Sequence, residues 1–278
     1  MSNLAFSSFT LNGVDAQKFL QGQITCDLNK LSAGANTLGA YSNIKGKVES
    51  MFRIWRLHED YYLRLPASMV EATMQELQKY AIFSKVQLLH ASNHLSGFGV
   101  YDSQLNLDLL DPELSVLEIL PGHRYEIYGT DEKLEKAWHQ CMARAKQVDP
   151  AQWELLDIEA SIPEVYPETS AEFFPHDLNL PALNAVSFTK GCFRGQEIIA
   201  RMQHRGNLKR RLCTFNVAAC DLKPGDLITA GGPENETAAG KVVRFARNIS
   251  TENIGLAVIN DSVLEQQLYI GTMKISLS

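Results

Sequence analysis

Pro163, Pro167, Pro175 and Pro181 constrain this chain more than any other feature. Each pyrrolidine ring removes an amide donor and crowds the preceding turn, so no long helix can run from residue 163 to residue 184. A structureless stretch of that length is unusual in a compact domain unless it serves a function. It leads directly into Lys190-Gly191-Cys192-Phe193-Arg194-Gly195-Gln196-Glu197, after which residues 196–204 read as a helix.

Upstream, residues 4–11 alternate loosely and carry aromatics, which predicts a strand. Asp15 is placed to cap a short helix through Leu20, with Gly22 as its stop. Residues 50–57 and 61–65 predict a hairpin with His58-Glu59-Asp60 at its tip. After Pro66, Ser68 and Glu71 have capping-box spacing. Val70, Thr73, Met74, Leu77 and Tyr80 then recur at helical spacing as one apolar stripe. Residues 86–89, 98–101 and 124–128 predict further strands. Thr130-Asp131-Glu132 opens a helix with acids in its first turn. Leu134, Ala137, Trp138, Cys141 and Met142 share its inner face, Arg144 and Lys146 suit its last turn, and Pro150 ends it. Past Arg211 the pattern changes to short strands and turns, the mark of a small barrel or sandwich. The class is α+β, with segments 1–92, 93–206 and 207–278.

The 278 residues are 45% hydrophobic and carry a formal net charge of -6, which excludes a strongly basic body. Nucleic acid would have to meet a local patch. Cys26, Cys141, Cys192, Cys213 and Cys220 are odd in number, scattered and without a C-x-x-C pair, so neither a disulfide framework nor a zinc site is expected. The N-terminal residues lack a basic segment followed by an apolar run, and no stretch reaches the ~20 apolar residues of a membrane span. A cytoplasmic protein is expected.

In the octapeptide, Gly191 and Gly195 let the backbone turn tightly and approach a ligand. The helix starting just beyond Cys192, together with Lys190 and Arg194, would favour thiolate over thiol. Cys192 is thus expected to be accessible and reactive. The alternative is a small core residue, which is what most free cysteines are; that is the reading given to the other four.

The run from Ser187 to Arg211 closely resembles the signature of the YgfZ family, K-G-C-aromatic-x-G-Q-E followed by an Ala-Arg step and an Arg-Gly. The segment from Leu11 to Leu28 is similar to the family's N-terminal G-x-D-A-x-x-[FY]-x-Q-G-Q-x-T-x-D. Residues 157–163 resemble the segment that reads R-L-E-A-G in the related glycine-cleavage T-proteins, and residues 174–180 resemble F-x-P-x-x-x-N-L. The resemblance spans essentially the whole chain. It implies a three-domain T-protein-like ring with ferredoxin-like α+β modules and a C-terminal β-barrel. It also implies tetrahydrofolate, or a one-carbon folate derivative, in the central channel.

By the same resemblance, Glu159 would hold the pterin, and Gly191, Gly195, Gln196, Glu197, Arg201 and Arg205 would join Lys190, Cys192 and Arg194 around the ligand. The arginine that opens R-L-E is Asp157 here. T-proteins use an aspartate where this chain has Ser50, and a hydroxyl cannot do a carboxylate's acid–base work at neutral pH. No glycine-cleavage aminomethyltransferase activity is expected.

Members of the family are associated with maintenance of iron–sulfur enzymes and, indirectly, with tRNA methylthiolation. The implied partners are folate and iron–sulfur proteins or cluster-assembly factors, with at most indirect RNA contact. A one-carbon transferase with another acceptor and a tRNA-binding factor are the alternatives. Arg201, His204, Arg205, Lys209, Arg210 and Arg211 form either an anion site or a solvated face. Gly231-Gly232-Pro233-Glu234-Asn235-Glu236 suggests a hairpin tip. Trp55, Tyr61 and Tyr62 are either a stacking platform or core.

Overall fold

The computed structural model describes residues 6–32, 34–91, 95–101, 109–143, 145–205, 208–231, 237–247 and 252–278, with the backbone alone for Phe6, Arg205 and Arg247. Arg144 and residues 232–236 lie outside that set.

Five antiparallel strands form the first sheet: β1 (Phe6–Asn12), β2 (Asn36–Ser42), β3 (Val48–Leu57), β4 (Asp60–Pro66) and β5 (Gln87–His90), in the order β2-β3-β4-β1-β5. Helices α1 (Ala16–Gln23) and α2 (Ala67–Ala81) pack against it. A second, three-stranded sheet has the order β6 (Ser96–Tyr101), β8 (Arg124–Gly129), β7 (Ser115–Leu120), and is followed by α3 (Asp131–Met142) and α4 (Pro150–Glu159). After the proline-rich stretch come α5 (Gln196–Arg205) and a closed six-stranded barrel. The barrel is built from β9 (Arg210–Ala218), β10 (Leu227–Ala230), β11 (Thr237–Arg247), β12 (Glu252–Asn260), β13 (Leu268–Ile270) and β14 (Met273–Leu277). No helix among the described residues is long and apolar enough to cross a membrane.

Several helix boundaries differ from the sequence reading. Asp15 does stand at the N-cap of α1, but its carboxylate accepts from the Lys85 amide at 2.8 Å, and the helix runs through Gly22. Helix α2 begins at Ala67, directly after Pro66, so Ser68 lies inside the first turn and the capping box does not form. Met69, Val70, Thr73, Leu77 and Ala81 are buried, whereas Tyr80 is 44% exposed and faces away from the stripe assigned to it. Pro150 opens a helix rather than closing one. Its fixed φ suits the first helical position, and Asp149 caps that end by accepting from the Ala151 amide at 2.8 Å. Trp55 is core, stacked between Tyr62 and Tyr128 at 5.3 and 4.9 Å.

The proline-rich stretch forms successive turns with a largely buried course. Val165, Phe173, Leu178 and Leu180 join Phe9, Leu20, Phe52 and Leu63 in one hydrophobic cluster, which also takes in Ile158, Phe193, Ile199, Val243 and Leu256. Each such side chain removed from water is worth about 1.5–3 kcal/mol. The loop is thereby fixed between the first sheet and the barrel.

Charges also join the three sheets. Arg64 of β4 reaches Glu126 of β8 at 2.5 Å and Glu164 of the loop at 3.1 Å. Asp157 of α4 forms an ion pair with Arg124 of β8 at 2.6 Å and accepts from Arg244 of β11 at 3.2 Å. All six side chains are at most 5% exposed. Burial pushes the Asp157 carboxyl up, but Arg244 and Arg124 outweigh it and hold it below the usual carboxylate range. For Glu164 burial prevails over Arg64 and Arg244, and its pKa rises to about 7.

Candidate functional site

The octapeptide is seated on the end of α1 and on the turn between β2 and β3. Thr25 Oγ1 donates to the Ala185 carbonyl at 2.6 Å, and the Ser187 amide returns a bond to the Thr25 carbonyl at 2.9 Å. The Arg194 amide donates to the Gly22 carbonyl at 3.2 Å. Gly195 has φ +79, and a Cβ there would stand 2.5 Å from the Asn43 carbonyl oxygen, so glycine is required by both conformation and space. Gly46 mirrors it from the β2–β3 turn, with φ +74 and Ile198 3.0 Å from where its Cβ would be. Gln196 closes the turn: its amide donates to the Phe193 carbonyl at 3.1 Å and its Oε1 accepts from the Phe193 amide at 3.3 Å.

This loop presents Cys192 to solvent, alone among the five cysteines in being exposed. Cys26 and Cys141 are buried, and burial pushes the Cys26 thiol up to about 12. Lys190 flanks Cys192 in sequence but not in use. Its Nζ turns inward and donates to the carbonyls of Ile24 at 2.9 Å and Cys26 at 2.6 Å. Burial pushes that ammonium down to about 8. Arg194 is likewise engaged. Its guanidinium lies between the rings of Tyr41 and Tyr80, 4.9 and 4.7 Å from their centroids, and 4.0 Å from Glu76. Burial holds the Arg194 pKa below the ordinary guanidinium value. The exposure of Tyr80 is thus explained by its role as one wall of this sandwich.

The remaining expected residues are spread over the surface. Gly191 is exposed, and a Cβ there would meet nothing. Glu197 and Arg201 pair with each other at 2.7 Å on the outer face of α5. Glu159 ends α4 with its side chain exposed, two residues beyond the buried Asp157. The side chain of Arg205 lies outside the described residues. The basic run is largely neutralised: Arg210 pairs with Asp177 at 2.5 Å and Arg211 with Asp261 at 2.7 Å, while His204 and Lys209 stay exposed.

Sequence reasoning missed Tyr41, Tyr80 and Glu76 around Arg194, and His176. The His176 Nε2 lies 3.0 Å from Gln203 Oε1, a contact between the proline-rich loop and α5. Only the apolar spacing of α2 hinted at Tyr80, and it pointed to the core.

No protein-family model matches the chain. The curated protein named tRNA-modifying protein YgfZ from Vibrio atlanticus is 30% identical over 269 residues, covering 93% of this chain and 83% of that protein. The one from Yersinia pseudotuberculosis, under the same name, is 36% identical over 219 residues, covering 73% and 66%. In the crystal structure of the glycine cleavage system aminomethyltransferase T from Bartonella henselae, the fold is similar with a TM-score of 0.72. That match has 15% identity and covers 99% of this chain and 83% of the other. The fold is therefore that of the T-proteins, mixed α and β with a closed C-terminal barrel. On identity and coverage together, the chain belongs to the YgfZ family.

Proposed function

We propose that this protein is a tetrahydrofolate-binding accessory factor that supports iron–sulfur cluster assembly or repair, and through it tRNA modification, by means of the Cys192 thiol. The observation that carries the reading is the exposed sulfur on a loop anchored on both sides of it, by Lys190 to two backbone carbonyls and by the Arg194 amide to Gly22. A thiol so held meets a partner without first having to be ordered.

Folate fits the chemistry of the side chains on offer. Glu159 is an exposed carboxylate with no side-chain hydrogen bond among the described residues, suited to accept both donors of a 2-amino-pyrimidinone edge. A bound folate supplies a one-carbon carrier. Ser50 stands where T-proteins place an acid; it is 1% exposed and offers no carboxylate for aminomethyl transfer. Lone Cys192 cannot hold a cluster that needs several thiolates, which makes the protein an assistant to cluster enzymes rather than a carrier.

Native mass spectrometry with and without tetrahydrofolate tests the binding half. A stoichiometric adduct that weakens in Glu159→Gln supports the reading, and no adduct refutes it. The thiol half is tested in cells lacking the protein. Wild type should restore the methylthiolated adenosine of tRNA and Cys192→Ser should not. Full restoration by Cys192→Ser would remove the sulfur from the mechanism.

A further inference from the structure

A cleft of about 450 Å³, whose lining does not include Cys192, lies where four elements meet. Its walls are Ser68 in the first turn of α2, Ala151 and Glu154 of α4, Tyr166, Pro167 and Glu168 of the proline-rich loop, and Pro224 and Phe245 of the barrel. The volume falls in the usual range for small-molecule pockets.

The cleft is preformed. The Tyr166 amide donates to Thr169 Oγ1 at 3.0 Å and the Thr169 amide donates to the Tyr166 carbonyl at 2.9 Å, which locks the turn carrying Pro167 and Glu168. Gly225, at φ +90, packs against Glu168, with 3.1 Å between the Glu168 Cβ and the place of a Cβ on the glycine. Pro167 and Pro224 stiffen the loop and barrel walls.

The charge on these walls is unmatched. Neither Glu154 nor Glu168 makes a side-chain hydrogen bond or ion pair among the described residues. Burial raises the Glu154 carboxyl, Arg244 partly offsets that, and Asp157 and Asp149 add to it. Arg244 gives its Nη1 to Asp157 Oδ2 and to the Ile162 carbonyl, each at 3.2 Å, and forms no ion pair with Glu154. A carboxylate partly removed from water and left without a direct ion pair is costly. Beside it stand two aromatic rings and two prolines, surfaces that attract an ammonium through the ring face and cover the carbon attached to it. We propose that this cleft binds a small organic cation, an ammonium group on an apolar body, with Glu154 and Glu168 as its counter-charges. An anionic ligand such as a folate tail is repelled there, so the site is separate from the one proposed above and stands or falls without it.

Isothermal titration of the full chain tests this with benzylamine as the cation and benzyl alcohol as its neutral counterpart. Benzylamine should bind, and benzyl alcohol should bind roughly tenfold more weakly or not at all, the loss expected when a charged hydrogen-bond partner is removed. Glu154→Gln should weaken benzylamine by a similar factor, the double variant with Glu168→Gln should abolish binding, and Glu135→Gln on the exposed face of α3 should leave it unchanged. Should a variant fold poorly, the wild-type pH profile serves instead: benzylamine affinity should fall as acid protonates Glu154. No binding of benzylamine, equal binding of the alcohol, a flat pH profile, or full affinity in a folded double variant would overturn the assignment.

Discussion

The Lys190–Glu197 loop and the ion cluster between the three sheets both bury cations, and they satisfy them in different ways. In the loop, Lys190 spends its charge on two backbone carbonyls and Arg194 on two aromatic faces. These partners are neutral, with the Glu76 carboxylate standing 4.0 Å from Arg194 beside them. Between the sheets, Arg64, Arg124 and Arg244 face carboxylates, and the desolvation of each charge is offset only while its partner remains charged. One arrangement holds the loop of an exposed thiol in place; the other makes the docking of three sheets depend on a set of mutually dependent charges.

The largest effect should come from breaking the cluster. Asp157→Ala strips Arg124 and Arg244 of their shared carboxylate and should destabilise the fold by about 3–5 kcal/mol, read from urea denaturation. A cost under 1 kcal/mol would show that the cluster is wet and that the contrast with the loop is overstated.

Next is the pH response of Glu164. Its folded-state pKa of about 7 lies above the ordinary carboxyl value of 4.5, so the native state holds the proton more tightly than the unfolded chain. Stability contributed by this group is full below pH 4.5 and declines as pH rises toward 7. Glu164→Gln mimics the protonated form and should flatten that decline, a difference of up to about 3 kcal/mol across the window. Parallel stability–pH curves for the two proteins would show that Arg64 keeps Glu164 charged throughout.

Lys190→Met should cost about 2 kcal/mol, because the carbonyls of Ile24 and Cys26 lose their donor. It should also change the rate of Cys192 alkylation, since the loop loses its anchor. An unchanged rate would locate the rigidity of the loop in Gly195 and Phe193 instead. The smallest effect belongs to Cys192→Ser, within about 0.5 kcal/mol of wild type by thermal melting, as expected for an exposed side chain. A larger loss would mean the sulfur is structural.

Much of the architecture was legible because local patterns fix local elements. The prolines at 163–181 exclude a helix whatever surrounds them, and the change to short strands past Arg211 marked the barrel. The octapeptide was found from its residue types, and the exposure of Cys192 follows from a loop that carries glycines on both sides of it. Helix α4 was missed because Pro150 was read as a stop, although proline suits a first helical turn as well as it ends a previous one. Tyr80 was assigned to the core because helical spacing places a residue on a face without saying what that face meets.

By itself, then, the sequence indicated many of the strands and helices, where the chain must turn, and which thiol stands in an unusual setting. These depend on interactions a few residues apart. Tertiary structure alone decided the direction of Lys190, the aromatic sandwich around Arg194, the pairing of Asp157 with two arginines, and the cleft between Glu154 and Phe245. Each joins residues far apart in the chain, and a buried charge takes whichever partner the packing brings within reach.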